Sequence, residues 1–260
     1  MPLNFTNRPS LVAYVTCGDP DLPTTKEIIF GAIDAGADVI ELGVPFSDPV
    51  ADGPVIQRAS ERALRQGTTL AKVLKMAAEI RRRTDAGLII FSYLNPILRL
   101  GIERFANELE DAGIDGALLT DLPAEEAETY LREMRMRRLA TVFLAAPTSS
   151  DRRLQQIAKN SSGFVYAVSR TGVTGAQQKV HDDARKLATR LRKYTKLPIA
   201  VGFGISTAEQ FSAVGEFAEA VVVGSAIVQT IESNPGKEPE AVAQFVHNLV
   251  GARQSTARMM

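Results

Sequence analysis

Cysteine and histidine are almost missing from this sequence of 260 residues, which contains one cysteine and two histidines. A single cysteine excludes an internal disulfide and a cysteine-based zinc site. We interpret Cys17 as a small, buried apolar side chain. His181 and His247 fall in or near helical patterns, far from the predicted strand ends, so we expect both at the surface.

Net charge and long apolar runs are also missing. The 30 basic and 30 acidic residues give a formal net charge of zero, which argues against a nucleic-acid binder. No apolar stretch reaches the roughly 18 residues that a membrane span requires. The first ten residues lack the apolar core of a secretory signal, so we expect a cytoplasmic protein. The basic clusters 81–83 and 135–138 have acidic neighbours, and we expect them on solvated helix faces.

The sequence does contain a regular alternation of short apolar runs and longer stretches with helical period. The eight runs are 11–16, 39–44, 88–93, 116–120, 141–145, 164–169, 198–203 and 220–224. The helical patterns are 24–35, 70–83, 102–112, 125–138, 151–159, 182–194, 207–214 and 240–252. Near-continuous apolar runs are typical of parallel strands buried on both faces.

Eight such units predict an α/β protein with a single (β/α)8 TIM barrel over residues 1–260. Residues 1–10 would form a short segment before the barrel, and residues 254–260 a frayed tail. The alternative is an open doubly wound sheet. That fold usually carries a glycine-rich turn after its first strand, and the turn at residues 16–20 (TCGDP) does not have this pattern.

A carboxylate lies inside the second apolar run. Strand side chains alternate, so Glu41 shares its face with Val39 and Gly43, in the barrel interior or against the helices. Either place is largely dry, and a lone carboxylate there must be paired or protonated. One interpretation is a structural Glu held by a Lys, an Arg or a backbone donor. The other is a general acid/base with a raised pKa.

The loop after Glu41 is stiff and acidic, with three prolines and two carboxylates in residues 45–54 (PFSDPVADGP). A barrel enzyme carries its active site at the carboxyl ends of the strands. Asp52 is close enough in sequence to fold back over the same cavity as Glu41. Asp48 would either cap the following turn or face a partner.

Glycines follow the last three strands, at positions where a phosphate group could be held. Residues 169–175 (SRTGVTG) predict a mobile loop that approaches a ligand closely. Gly202 and Gly204 end the seventh run. Gly224 ends the eighth, where Ser225 opens a short helix whose N-terminus favours an anion. No serine-hydrolase elbow, zinc-protease motif or P-loop is present. The sequence therefore predicts metal-free acid/base chemistry by carboxylates on a small phosphorylated substrate.

These residues resemble the tryptophan synthase α-subunit family. The resemblance rests first on residues 41–54 (ELGVPFSDPVADGP), a long and specific motif. It continues at 14–20 (YVTCGDP), 121–123 (DLP), 169–175, 202–205 (GFGI) and 224–228 (GSAIV). It covers roughly residues 11–250 in the expected order.

The resemblance implies a barrel that cleaves indole-3-glycerol phosphate into indole and glyceraldehyde 3-phosphate. Indole would pass to a β subunit that carries pyridoxal phosphate, within an α2β2 heterotetramer. This chain would hold no cofactor of its own. Glu41 would be the catalytic acid/base, Asp52 the partner of the indole N–H, and Asp48 a residue facing the β subunit. The substrate-binding residues would be Tyr14, Tyr166, Thr174, Gly175, Gly202, Gly204, Gly224 and Ser225.

One feature departs from the family pattern, and one residue has no assigned role. The segment before the first strand is short, so only Leu3, Asn4 and Phe5 remain to cover the barrel bottom. Arg58, in the helix after the acidic loop, has no assigned role. Three other functions remain open at this point: a stand-alone lyase, a different phosphate-barrel enzyme such as an isomerase or epimerase, and a non-catalytic barrel that activates a partner.

Overall fold

Eight parallel strands form a closed barrel in a computed structural model that describes residues 3, 5–168, 177–202, 204–251 and 253, with the backbone alone for 177–180. The strands pair in chain order, and β1 closes the barrel by pairing with β8. Their bounds are β1 Ser10–Thr16, β2 Val39–Gly43, β3 Gly87–Ser92, β4 Gly116–Leu119, β5 Ala140–Ala145, β6 Val165–Val168, β7 Ile199–Gly202 and β8 Ala220–Val223. The predicted (β/α)8 barrel is confirmed.

Eleven helices lie in the part of the chain that the structure describes. They are α1 Leu22–Asp34, α2 Pro54–Arg65, α3 Leu70–Arg81, α4 Leu94–Leu100, α5 Ile102–Asp111, α6 Glu128–Met136, α7 Asp151–Asn160, α8 Gln177–Leu191, α9 Ala208–Gly215, α10 Ser225–Ser233 and α11 Glu238–Val250. None of these helices is long and apolar enough to cross a membrane. The sequence pattern did not indicate α4, and it placed the start of α6 three residues too early.

Side-chain caps fix where several helices begin. Asp21, Thr69 and Ser150 accept hydrogen bonds from backbone N–H groups in the first turns of α1, α3 and α7. Thr207 and Gln210 form a reciprocal capping box at the start of α9. These caps satisfy N–H groups that have no partner within the helix, and they turn the chain back along the barrel after each strand.

The barrel interior is filled by one apolar layer. Its buried members are Val12, Val39, Ile89, Leu118, Val142, Phe164, Ala200, Ala220 and Val222. A larger apolar cluster fills the space between the outer faces of the strands and the helices. Both faces of the sheet are therefore buried, as the near-continuous apolar runs predicted.

A carboxylate–arginine pair recurs at the amino-terminal end of the barrel. Asp38 Oδ2 accepts the Leu11 N–H at 2.7 Å, and Arg253 binds the same oxygen at 2.7 Å. Asp115 Oδ2 takes the Leu88 N–H and Arg81 in the same way, at 2.8 and 2.6 Å. Glu219 likewise accepts the Ile199 N–H and forms an ion pair with Arg192. Each carboxylate satisfies the N–H of a residue in the neighbouring strand, and the arginine balances its charge.

This use of arginine corrects one expectation. Arg81 and Arg137 were predicted on solvated helix faces, but both side chains are mostly buried in ion pairs, with Asp115 and Glu133. Their neighbours in the two clusters are exposed, as expected. The partners of Arg81 include two backbone carbonyls of the turn before β3, Thr84 and Ala86.

The short segment before β1 covers the bottom of the barrel. Leu3 and Phe5 both pack against the interior layer. The Phe5 ring meets Phe164 edge-on, with 5.6 Å between ring centroids. Two apolar side chains thus help to keep water out of the interior at this end.

We predict that Phe5→Ala lowers the free energy of unfolding by about 1–3 kcal/mol, because it removes a half-buried ring from the interior layer. Chemical denaturation of both proteins measures this difference. The matched control is Leu98→Ala, which truncates an exposed side chain and should change stability by less than about 0.5 kcal/mol. Equal effects of the two substitutions would show that Phe5 does not seal the barrel.

Candidate active site

Five of the predicted site residues form one layer directly above the apolar interior. Tyr14, Glu41, Tyr166, Gly202 and Gly224 follow the layer members Val12, Val39, Phe164, Ala200 and Val222 by two positions each. Because strand side chains alternate with a period of two, all five face the barrel axis. The barrel thus brings residues from β1, β2, β6, β7 and the end of β8 into one cavity at its carboxyl end.

Glu41 is fully buried, and neither of its carboxylate oxygens has a hydrogen-bond partner among the described residues. Among the described residues, then, no Lys, Arg or backbone donor holds Glu41. Burial raises the pKa of Glu41 to about 8, because the dry interior disfavours the ionised form. At neutral pH the side chain therefore carries a proton most of the time.

Two tyrosines stand beside Glu41, and each lies over a glycine. A Cβ on Gly43 would lie 2.5 Å from Tyr14 Cζ, and a Cβ on Gly202 would lie 2.7 Å from the Tyr166 hydroxyl oxygen. Only glycine leaves room for the rings at these two positions. Burial raises the pKa of both phenols, and the nearby charge of Glu41 adds to the shift.

The acidic loop is anchored to the end of β3 by Tyr93. The Tyr93 hydroxyl accepts the Ala51 N–H at 2.9 Å and hydrogen-bonds the Asp52 carboxylate, while its ring stacks on Phe46 with 4.9 Å between centroids. Burial raises the pKa of Asp52 to about 6, and the Tyr93 hydrogen bond opposes that rise. The Asp52 charge also raises the pKa of Tyr14, as the Glu41 charge does, so both carboxylates lie near the Tyr14 hydroxyl.

The outer part of the acidic loop faces solvent. Asp48 is exposed, and its carboxylate accepts a hydrogen bond from the Ser47 hydroxyl at 2.6 Å. The turn that follows is closed by the Asp48 backbone carbonyl, which accepts the Val50 N–H at 2.8 Å. Val50 is the most exposed large hydrophobic residue of the described chain.

The predicted phosphate residues lie at the ends of β7 and β8. Gly204 has a positive φ of 53°, a conformation that favours glycine. Gly224 precedes α10, and Ser225 is the exposed first residue of that helix. A Cβ on Gly224 would have its nearest neighbour at 3.5 Å, so protein packing alone does not require glycine there. The free space next to a helix N-terminus suits an anion.

Part of the predicted site lies outside the described residues, namely Thr174, Gly175 and the stretch 170–176 of the predicted loop. The helix after this loop, α8, begins at Gln177, five residues before the predicted helical pattern 182–194. Among the residues that the structure covers, no three His, Cys, Asp or Glu side chains lie where they could hold a metal ion.

Comparison with known proteins assigns the chain to a family. The family model described as tryptophan synthase alpha chain matches residues 2–257. The chain belongs to this family. The tryptophan synthase alpha chain of Solibacter usitatus (strain Ellin6076) is 54% identical over 232 residues, which span 89% of this chain and 87% of the relative. That of Neisseria meningitidis serogroup B is 46% identical, covering 94% of each chain.

Solved structures agree with this family assignment. A mutant tryptophan synthase alpha-subunit from Pyrococcus furiosus has a TM-score of 0.87 and 38% identity, over 94% of this chain and 99% of that one. Tryptophan synthase from M. tuberculosis, in an open form, also has a TM-score of 0.87, with 32% identity over 95% and 94% of the two chains. The family predicted from the motifs is confirmed.

Sequence reasoning missed two aromatic residues of the candidate site. Tyr93 anchors the acidic loop, and Phe91 meets the Tyr14 ring edge-on at 5.1 Å between centroids. Both belong to the third apolar run, and Tyr93 is the residue directly after β3. An aromatic residue at the carboxyl end of a barrel strand was the available signal.

We predict that Glu41→Gln becomes more stable relative to the wild type as the pH rises from about 5 to 8. The unfolded chain ionises Glu41 near pH 4.5, whereas the folded chain keeps the proton to about pH 8, so wild-type stability falls through this window. Each pKa unit corresponds to about 1.4 kcal/mol, which gives a change on the order of a few kcal/mol.

Chemical denaturation at several pH values measures this effect. Glu61→Gln, which removes an exposed carboxylate of α2, is the matched control and should show a flat difference from the wild type. A stability difference for Glu41→Gln that does not change with pH would show that Glu41 is ionised in the folded protein.

Proposed function

We propose that this chain is a carbon–carbon lyase that cleaves indole-3-glycerol phosphate into indole and glyceraldehyde 3-phosphate. One observation carries the proposal: a buried carboxyl, Glu41, has no hydrogen-bond partner among the described residues, and a second carboxylate, Asp52, is held by Tyr93 near the same Tyr14 ring. Burial raises the pKa of Glu41 to about 8 and that of Asp52 to about 6. At pH 7 the first mostly holds a proton and the second is mostly ionised. Such a separated pair supplies an acid and an anion to the same substrate.

The first step is a proton transfer to carbon. Protonated Glu41 gives its proton to C3 of the indole ring, which becomes a cationic indolenine with a positive N–H group. Ionised Asp52 accepts that N–H and stabilises the developing charge electrostatically. The Tyr93 hydroxyl already holds Asp52 at the mouth of the cavity, so little reorganisation is needed when the charge appears.

The second step breaks the carbon–carbon bond. The Glu41 carboxylate, now ionised, removes the proton from the hydroxyl on the side-chain carbon bonded to C3. That carbon becomes the aldehyde of glyceraldehyde 3-phosphate, and the bonding electron pair returns to the ring to give neutral indole. Glu41 is then protonated again, so one group serves as acid and base, which suits a pKa near the working pH.

The remaining assigned residues bind and orient the substrate. Tyr14 and Tyr166 line the cavity where the indole ring would lie. Gly202, Gly204, Gly224 and Ser225, together with Thr174 and Gly175, would hold the phosphate. Binding energy from the phosphate end orients the reacting carbon over Glu41.

The proposal includes a β subunit as the acceptor of indole, in an assembly of two chains of each kind. Pyridoxal phosphate would belong to that subunit, this chain would use its own side chains alone, and the complex would act in the cytoplasm. The exposed outer part of the acidic loop, with Asp48 and Val50, is the surface proposed to face the β subunit. Its inner end carries Asp52, so contact there would reach the site directly.

The deciding experiment measures indole release from indole-3-glycerol phosphate by the purified chain, with and without a tryptophan synthase β subunit. We expect slow release that rises strongly when the β subunit is added, because the partner orders the acidic loop. Fast release by the chain alone would instead identify a free-standing lyase. No release in either case, from a folded barrel, would contradict the proposed reaction and leave a non-catalytic partner of the β subunit.

We predict that Glu41→Gln lowers kcat by at least about 100-fold, because the proton donor and acceptor are lost. Asp52→Asn should lower kcat by about 100- to 1000-fold, because the cationic ring loses its anion. Steady-state indole release measures both, and the exposed control Glu61→Gln should keep wild-type turnover. Wild-type turnover in Glu41→Gln would remove Glu41 from the mechanism, and an unchanged rate in Asp52→Asn would show that the indole nitrogen needs no anion.

A further inference from the structure

Four charged side chains link three separate elements around the acidic loop. Asp19 lies in the loop after β1, Arg58 and Arg62 stand one turn apart on α2, and Glu232 lies near the end of α10. We call these four residues the α2 ion network. The proposed reaction uses none of them.

Arg62 is the centre of the network. Its Nε and Nη2 bind the two oxygens of Asp19, both at 2.8 Å, and its Nη1 binds Glu232 Oε1 at 2.8 Å. The Asp19 side chain is only 2% exposed. The planar fork of arginine can serve two carboxylates in fixed directions, which a lysine cannot do. The network therefore fixes the orientation of α2 as well as its charge balance.

Arg58 makes a second two-point contact with the same acceptor. Its Nε and Nη2 bind Glu232 Oε1 and Oε2 at 2.9 and 2.7 Å. Glu232 thus receives both arginines of α2. Two forked contacts on one helix restrict both its rotation and its sliding along α10.

Apolar packing holds α2 only weakly. Its fully buried side chains are Ala59, Ser60 and Ala63, which are all small, and burial stabilises in proportion to apolar area. Val55 and Ile56 are half-buried against Tyr14. The ion network therefore adds directed contacts to a helix whose buried side chains are small.

The position of α2 affects the position of the acidic loop, which carries Asp52. The helix begins at Pro54, two residues after Asp52, and Gln57 Nε2 donates to the Asp52 backbone carbonyl at 2.9 Å. The other helix of the network, α10, begins at Ser225, which is one of the proposed phosphate residues. The network thus joins the helix that follows Asp52 to the helix that begins at the phosphate end.

We propose that Arg58 and Arg62 are positioning residues, which hold α2 against α10 and so set where Asp52 stands relative to the phosphate end of the substrate. This inference rests on the proposed lyase function. Neither arginine touches the reacting atoms, so their effect runs through the placement of Asp52.

The test uses Arg58→Gln, Glu232→Gln and the double variant, each saturated with β subunit. Arg62 is left intact, because its removal would leave the buried Asp19 unpaired and endanger folding. Arg65→Gln is the matched control on the same helix, since Arg65 is 77% exposed and makes only a 3.7 Å contact with Glu61. Indole release gives kcat and KM, and thermal unfolding gives Tm.

We expect Arg58→Gln and Glu232→Gln to lower kcat about tenfold or more at a temperature well below Tm, because a small misplacement of a catalytic group is costly. KM should change by less than about threefold, since the phosphate residues stay in place. The double variant should lose no more kcat than Glu232→Gln alone, because both substitutions break one contact. Arg58→Lys, which keeps the charge, should recover part of the loss, and Arg65→Gln should keep wild-type kcat.

Two results would overturn this inference and leave the proposed function standing. In the first, the variants have a lower Tm but keep wild-type kcat. In the second, their KM rises while kcat stays constant. Independent, multiplying losses in the double variant would also contradict it. A wild-type protein that releases no indole with the β subunit present would instead overturn the proposed function, and the inference with it.

Discussion

A carboxylic acid in a dry barrel interior is the constraint on which the site depends. Glu41 has no hydrogen-bond partner among the described residues, and it can stay there because burial raises its pKa to about 8 and keeps it mostly protonated. It cannot leave the interior, because β2 is hydrogen-bonded on both sides and a one-residue slip would turn every side chain of the strand to the opposite face. The closed sheet therefore holds an acid where an open surface would hold a solvated anion.

Stability and chemistry lie at opposite ends of the barrel. The amino-terminal end is closed by the repeated carboxylate–arginine pairs on Asp38, Asp115 and Glu219 and by the side chains of Leu3 and Phe5. The carboxyl end carries glycines and a buried acid with no hydrogen-bond partner in the described part of the chain, and both cost stability. The apolar interior layer separates the two ends, so the site can keep unfavourable features without loosening the bottom.

The eight strands and the burial of Glu41 could be predicted from the sequence, because both follow from local periodicity, but periodicity left open whether Glu41 faces the barrel interior or the helices. The role of Tyr93 could not, since it depends on a loop that folds back across 42 residues to bring Ala51 to its hydroxyl. Arg58 meets a partner 174 residues away, a distance over which spacing carries no information. The prediction for Arg81 was wrong for the same reason. Its basic cluster was predicted to be solvated, and the sequence does not show that the distant Asp115 pairs with it in the fold.

The pairing of β1 with β8 has a consequence for synthesis of the protein on the ribosome. β1 and β2 emerge early, but the free edge of β1 gains its second neighbour only when residues 220–223 have been made. Until then a row of backbone N–H and C=O groups on β1 stays open to pairing with other chains. Pairing with β8 removes that free edge, and the same closure completes the dry interior that raises the pKa of Glu41.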